Sequence, residues 1–520
     1  MKKYLLLPTL LISTAIYAQI PEDALRYSNY PQNGTARSLA IGGAMGSLGG
    51  DINAIFVNPA GLGNYKTGEF VFTPGFYMNS NKTTFRDKEN KNKKSNFALG
   101  PIGFVFGSPS RYNPTNSQAF SIAFTQTANY NNSVQYNGLN NYSSYSEQWA
   151  EQAAKSGLTI DNILNNPQYA YGTAPALYTY LIDTFKVGSG YQIRSLPENI
   201  LDAGQALRQQ YSKDTKGAQY EIALGYAVNK HDKFQFGFSV GIPIMNYSST
   251  TTFKENDTSS NKTNGFDSFT YTDDYTTKGA GINAKFGITF KPVERIRIGL
   301  AVHTPTYMVS LKDVRSTSLN VNTENYAGVT SVTSQTFTNG QPGESKYSVL
   351  TPLKVMVSGS YVLNEIEDVR KQKGFITADI EYINHKGSNF YSDNATPTAD
   401  EKQYYKDLNT VIKDQYKGNF NFRVGGELKF NTIMTRLGFA YYTNPYKNAE
   451  IKAHKTLVSG GLGYRNKGIF IDLTYVYAMS KDVNFPYRLV DRPPEDKLNY
   501  RAAIINNNRG NIVASVGFKF

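Results

Sequence analysis

From Glu69 onward, apolar and polar residues alternate one by one in short runs, the two-residue period of strands with one apolar face. Tyr220, Ile222, Leu224, Tyr226 and Val228 share one face, against Glu221, Ala223, Gly225 and Ala227. Phe234, Phe236, Phe238, Val240, Ile242 and Ile244 oppose Gln235, Gly237, Ser239 and Gly241. Phe420, Phe422, Val424 and Leu428 oppose Asn421, Arg423, Gly425, Glu427 and Lys429. The pattern predicts fourteen strands, near 69–79, 95–107, 117–130, 217–228, 233–248, 276–290, 295–312, 346–363, 373–388, 417–430, 433–446, 455–465, 468–480 and 510–520.

A soluble sandwich also alternates, so connection length has to decide between the two architectures. Short links such as 229–232, 291–294, 431–432 and 466–467 alternate with long ones at 131–216, 249–275, 313–345, 389–416 and 481–509. Short periplasmic turns alternating with long external loops are expected of an outer-membrane barrel, whose apolar faces point to lipid and whose polar faces point to the lumen. An even strand count puts both barrel ends in the periplasm. The fold class is therefore all-β: a transmembrane antiparallel β-barrel of about fourteen strands in the cell outer membrane.

The two ends of the chain agree. Lys2-Lys3, the apolar stretch Tyr4–Tyr17 and Ala18 have the features of a secretory signal peptide over 1–18, too short to span a bilayer as a helix. In the last strand Ile512, Ala514, Val516, Phe518 and Phe520 form a lipid face, and an apolar strand ending in Phe resembles the closing strand of bacterial outer-membrane barrels.

Composition narrows the chemistry. Tyr (39), Phe (30) and Gly (44) are abundant, and cysteine is absent, which removes disulfides, thiolate zinc sites, cysteine nucleophiles and lipoprotein anchoring together. The formal charge is +13, or +11 without Lys2 and Lys3; in a secreted barrel it suits outer-membrane lipid head groups and not nucleic acid. The densest basic run, Lys88–Lys94, is expected in a surface loop.

Residues 19–66 do not read as strand. Seven glycines from Gly42 to Gly63 alternate with apolar residues, and Ala40–Leu48 is expected as a short helix weakened by its glycines. Such a segment can pack inside a lumen, leaving 67–520 as the barrel. Within the long insertion at about 131–216, Glu147–Asn165 and Asn199–Tyr211 are expected as one or two short helices capping the external mouth, as a packed lid or as a landing site for ligand.

The run Gly34-Thr35-Ala36-Arg37-Ser38-Leu39-Ala40-Ile41-Gly42-Gly43-Ala44, followed by Ala54-Ile55-Phe56-Val57-Asn58-Pro59-Ala60-Gly61-Leu62, resembles the N-terminal hatch of the long-chain fatty-acid and hydrophobic-compound transporter family of FadL/TodX type. Asn58-Pro59-Ala60 matches that family's hatch motif, and Gly299–Thr306 and Asn421–Glu427 are similar to later segments of it. The resemblance implies a monomeric barrel plugged by its hatch. Hydrophobic molecules would bind at the outer mouth, descend into the lumen and leave sideways through a break in the wall beside Asn58, Pro59 and Ala60. Pro59 lacks an amide hydrogen and holds Asn58 extended, and Asn58 can bond backbone groups left unpaired at such a break. One departure stands out. The best-known members build their external groove from later loops, whereas the longest insertion here follows the third strand.

Other chemistry finds little support. The glycines Gly43, Gly46, Gly49 and Gly50 lack a following Gly-Lys-Ser/Thr, so nucleotide binding is not expected. His231, His303, His385 and His454 are scattered, which argues against a metal site; only His303 lies well inside a clean strand, as a candidate lumen ligand contact. Asp379, Glu381, Arg423, Glu427, Lys429 and Arg436 face the lumen on neighbouring strands and are expected as paired internal struts, not as a catalytic group. No cofactor and no enzymatic activity are expected. The reading is a passive outer-membrane transporter of hydrophobic small molecules or lipids such as long-chain fatty acids. The alternative is a structural or scaffold barrel subunit that grips outer-membrane protein partners through its 131–216 insertion.

Overall fold

A computed structural model describes residues 21–363 and 373–520; the expected signal peptide lies outside the described residues. Fourteen antiparallel strands close into a barrel. They are β1 (Gly68–Phe72 and Pro74–Phe85), β2 (Lys88–Leu99 and Ile102–Pro109), β3 (Ser117–Asn129 and Asn132–Asn140), β4 (Leu207–Lys230), β5 (Phe234–Asp257), β6 (Ser268–Val293) and β7 (Ile296–His303 and Tyr307–Asn322). The second half comprises β8 (Gly343–Leu350 and Lys354–Leu363), β9 (Gly374–Asn384 and Asn389–Ser392), β10 (Gly418–Phe430), β11 (Ile433–Tyr442), β12 (Lys455–Asn466), β13 (Ile469–Asn484) and β14 (Ala503–Lys519). The barrel closes where Glu69, Phe70, Val71 and Phe72 of β1 pair with Lys519, Phe518, Gly517 and Val516 of β14. Both terminal strands meet at the short-turn, periplasmic end.

Burial along β5 locates the membrane. Phe234, Phe236, Phe238, Ile242 and Ile244 are exposed on the outside, whereas Gln235, Ser239, Gly241, Pro243 and Met245 are buried inside. Past Ile244 the outward positions become polar, with Asn246, Ser248 and Thr250, while the inward ones become large, with Tyr247 and Phe253. A lipid band of roughly 25 Å is thus covered by the periplasmic half of each strand. With ~3.4 Å per residue, the 24-residue β4 and β5 stand well above it.

That overhang corrects several expectations. Residues 80–94 are not a loop: Lys88–Leu99 is strand, joined to β1 through Arg86 and Asp87, both at positive φ. Strands β3 and β4 run on to Asn140 and from Leu207, so the insertion narrows to 141–206. Within it Glu147–Ser156, Ile160–Leu164 and Glu198–Asp202 are helical, but Leu207–Tyr211 is strand. The expected helix over Ala40–Leu48 is displaced to Ala36–Ala40, and turns follow it. Helix Ala399–Gln415, in the connection from β9 to β10, was not anticipated; it is capped by Thr398, whose side chain accepts from Glu401 N, and buries Tyr404, Tyr405, Leu408, Val411 and Ile412.

Two apolar clusters close the external end. In one, Trp149, Ile163 and Leu181 of the insertion pack on Phe253, Phe269 and Leu319 of the overhanging wall. In the other, Tyr404, Leu408 and Ile412 pack with Tyr247, Tyr347 and Phe390, and with Ala24 and Tyr27 of the N-terminal segment.

Candidate functional site

Residues 34–64 occupy the lumen, and the inward side chains of the wall satisfy their backbone. Ala36 N donates to Ser515 Oγ at 2.8 Å, and Thr474 Oγ1 donates to Ala36 O at 2.6 Å. Met45 N donates to Asp379 Oδ2 at 3.0 Å, Arg297 Nη1 donates to Leu48 O at 3.0 Å, and Ser239 Oγ donates to Ile55 O at 2.8 Å. A segment with only short helical turns must place its remaining buried backbone groups somewhere, and the polar lumen face of the strands provides the partners.

Asn58, Pro59 and Ala60 sit against β5 and β6. Asn58 is extended (φ −140°, ψ 99°), and its Oδ1 accepts from Ala60 N at 3.1 Å, capping the 3₁₀ turn Pro59–Asn64. Its Nδ2 donates to Gly46 O at 2.5 Å and to Ile288 O at 3.3 Å, tying the motif to the rest of the segment and to the wall. The wall accommodates it only because two positions lack a side chain. A Cβ on Gly287 would lie 1.8 Å from Asn58 Oδ1, and one on Gly237 would lie 2.2 Å from Ala60 N. The β5–β6 ladder is continuous there, from Phe234↔Phe290 to Gly241↔Asn283.

An interruption in the wall lies elsewhere. Strands β2 and β3 pair only from Ile102↔Phe124 to Pro109↔Ser117; toward the outside, no ladder joins 88–99 to 125–140. Side chains span the gap. Asn33 Nδ2 donates to Leu99 O at 2.9 Å and to Gln126 O at 2.7 Å, and Leu99 N donates to Gln126 Oε1 at 3.2 Å. Farther out, Asn81 Nδ2 and Thr83 Oγ1 of β1 donate to the carbonyls of Ser133 and Gln135 at 2.5 and 2.6 Å. The outer half of β3 is thereby tucked behind the β1–β2 hairpin. The residue at the interruption is Asn33, not Asn58. Sequence reasoning missed it because the gap is a property of register.

A cavity of about 130 Å³ abuts the same place. Asn33 and Gln126 contribute to its lining, with Leu39, Leu457, Val476 and Ala478 as apolar surface. Two cations face it. Arg509 stacks over the Tyr77 ring at 5.2 Å and donates from Nε to Asn79 Oδ1 at 3.2 Å, and Lys455 Nζ donates to Asn29 O at 2.7 Å. Neither makes an ion pair among the described residues.

Several other lumen charges are paired. Arg423 Nη2 meets Glu381 Oε1 at 2.7 Å, and Arg436 bridges Glu427 (2.6 Å) and Asp472 (2.5 Å). Asp379 instead holds the Met45 and Gly46 amides and accepts from Ser358 Oγ at 2.5 Å, while Lys429 has no such partner among the described residues. His303 Nε2 lies 2.7 Å from Val57 O and so fastens the lumen segment to β7. Among the described residues no group of three or more His, Asp or Glu could hold a metal ion.

A closed fourteen-stranded barrel with an apolar outer band, a polar lumen and long external connections is an outer-membrane β-barrel. No protein-family model and no curated protein matches the chain. The fold is nevertheless similar to solved structures. The P. putida toluene transporter TodX aligns at a TM-score of 0.51 and 12% identity, over 94% of this chain and 99% of that one. A Pseudomonas aeruginosa FadL homologue aligns at 0.52 and 13%, again over 94% and 99%. The barrel has the FadL/TodX-type fold.

Proposed function

We propose that this protein is a passive outer-membrane transporter of hydrophobic compounds, with residues 19–66 as the hatch of the barrel, and that amphipathic carboxylic acids of the long-chain fatty-acid kind are its substrates. One observation carries the reading: an apolar cavity inside a plugged barrel abuts the stretch where β2 and β3 are not paired. Ligand would enter through the external lid, rest in the cavity and leave between β2 and β3 when the Asn33 clasp lets go. Asn58, Pro59 and Ala60 hold the hatch on β5 and β6, away from that exit. No nucleotide is needed, since the gradient of ligand supplies the driving force.

The cavity's chemistry favours an acidic head. Its volume is near the ~150 Å³ that holds one benzene ring, room for a single aromatic ring or for the head end of a longer chain. A wholly apolar ligand leaves Arg509 and Lys455 unused. A carboxylate would take charge-assisted hydrogen bonds from both.

Uptake of labelled palmitate and toluene tests this, in cells lacking the protein and complemented with wild type or Ala478→Trp. Ala478 faces the cavity, so an indole there fills it. Rescue by wild type and loss in the variant is expected. Equal uptake in all strains would refute transport of these compounds and favour the scaffold reading, in which the insertion grips other outer-membrane proteins.

A further inference from the structure

The two ends of the barrel differ in charge. The periplasmic strand ends and turns at 66–69, 109–117, 229–235, 290–297, 373–374, 429–433, 464–469 and 518–520 carry twelve Lys and Arg against three acids. The residues 364–372, outside the described ones, add two cations and three acids by sequence. The external connections at 86–87, 141–206, 258–267, 323–342, 393–417, 443–454 and 485–502 carry fifteen cations against eighteen acids. A concave floor rich in one sign focuses its field into the lumen.

Four of the twelve, Lys291, Arg297, Lys429 and Arg465, lie on the lumen side of their strands, as does Arg436 a little farther in, and most of these five are committed to other groups. Arg297 donates to Leu48 O at 3.0 Å, and Lys291 Nζ lies 3.4 Å from Asn64 Oδ1, so both brace the hatch. Arg436 takes up Glu427 and Asp472, and Arg37 of the hatch reaches Glu427 at 3.5 Å. That uses both carboxylates of this part of the floor.

Lys429 and Arg465 remain. Among the described residues neither side chain makes a hydrogen bond or an ion pair, and Arg465 Nε is buried without a partner. The Arg465 guanidinium lies over the Phe470 ring at 5.3 Å. Register brings the two together. Lys429 pairs with Met434, Met434 pairs with Gly463, and Arg465 is two residues farther along the same face. Two strand spacings of ~4.8 Å across the sheet and two residues of ~3.4 Å along it separate their backbones by about 12 Å, within reach of two long side chains.

We propose that Lys429 and Arg465 form an anion site on the periplasmic side of the hatch, a second place for the carboxylate head of an amphipathic acid, separate from the exit between β2 and β3. This rests on the transporter reading above and extends it. Arg509 and Lys455 offer the same chemistry on the other side of the hatch. An acidic ligand therefore has a cation pair at each end of the plug, and an uncharged one gains from neither. Glu427 and Asp472 nearby are bonded to Arg436, so Lys429 and Arg465 hold no carboxylate of their own, and an anion joining them offsets part of the cost of their burial.

Calorimetric titration of the full-length protein in neutral-lipid nanodiscs tests the site, with dodecanoate, dodecanol and inorganic phosphate as probes. Lys429→Gln/Arg465→Gln is expected to weaken one class of dodecanoate sites about tenfold and to leave dodecanol binding unchanged. Lys429→Arg/Arg465→Lys keeps the charge and is expected to bind dodecanoate within twofold of wild type. Unchanged dodecanoate binding in the Gln variant, or an equal loss for dodecanol, overturns the site. Phosphate binding lost in the Gln variant while dodecanoate binding is kept overturns the assignment to a substrate head in favour of a free anion. Failure of the transporter reading would appear separately, as wild-type cells that take up neither palmitate nor toluene.

Discussion

Gly287→Val should lift the Asn58-Pro59-Ala60 turn off the wall while leaving the barrel intact. Gly287 is not at positive φ, so valine suits the strand backbone, and β-branched residues favour strands. The damage is steric: the new Cβ would lie 1.8 Å from Asn58 Oδ1. Asn58 must then leave, giving up its bonds to Gly46 O, Ile288 O and Ala60 N. At ~1 kcal/mol net for each hydrogen bond and ~1–3 kcal/mol for overpacking, local opening becomes easier by at least about 3 kcal/mol. The chain has no cysteine, so Leu62→Cys, buried in the adjoining 3₁₀ turn, provides a clean probe of opening. At tenfold per 1.4 kcal/mol, Leu62→Cys should react with a small maleimide about a hundredfold faster in the Gly287→Val background. Unheated gel mobility should still report a closed barrel. A labelling rate within twofold of the Gly287 parent would refute the claim that a missing side chain at this position seats the hatch.

Three further outcomes follow from the same geometry. Asn33→Ala removes two hydrogen bonds to the Leu99 and Gln126 carbonyls, so amide exchange at 97–100 and 125–128 should rise about tenfold, from ~1.4 kcal/mol of lost local stability, with other strands unchanged. Burial pushes the Glu147 carboxyl up to about 8, with nearby Glu198 adding to the rise and Arg492 opposing it. A raised carboxyl pKa stabilises the protonated lid, an effect complete below about pH 4.5 and lost as pH climbs through 8; exchange in 141–206, corrected for its intrinsic pH dependence, should increase between pH 5 and 9 in wild type and much less in Glu147→Gln. Trp149 is the single tryptophan and is buried in the external cluster, and a Cβ on Gly172 would lie 2.1 Å from its Nε1; Gly172→Val should therefore shift the emission to the red and raise acrylamide quenching.

What the sequence makes legible divides at the membrane surface. Inside the lipid band one face must be apolar, so alternation is strict, and all fourteen strands can be placed from it. Above the band both faces of a strand meet water or the lid. Lys88–Lys94 and Asn132–Asn140 then carry no alternation and read as loop, although both are strand. Helix Ala399–Gln415 was legible in principle, from the Thr398/Glu401 cap and the spacing of Tyr404, Leu408, Val411 and Ile412, but it lies in what reads as one more external loop. The site shows a different limit. Asn58-Pro59-Ala60 could be found as a motif, whereas Asn33, Gly287, Lys429 and Arg465 acquire their meaning from register and from what lies opposite. A lone Asn, Gly or Lys gives no local signal of that.

The lid and the lumen segment of this barrel are held by different mixtures of forces. The lid joins the overhanging wall through large buried rings, with Trp149 at 5.1 Å from Tyr271 and Tyr145 at 4.4 Å from Phe253. Each such ring buries on the order of 150–250 Å², so displacing the lid exposes apolar surface at ~25 cal/mol/Å² all at once. The lumen segment meets the wall through hydrogen bonds with Ser515, Thr474, Ser239, Asp379 and Arg297 and also through apolar packing, with Ile55 and Leu62 beside Ala223 and Ala227, and Ile41 and Met45 beside Ala301 and Met356. The hydrogen bonds are worth ~1 kcal/mol each and exchange readily for water or for one another. Water can replace those hydrogen bonds one at a time, but the apolar contacts of the lumen segment, like those of the lid, are given up together. Substitutions in the lid should accordingly change how firmly the external mouth is shut, and substitutions along the hatch contacts should change the rate of passage.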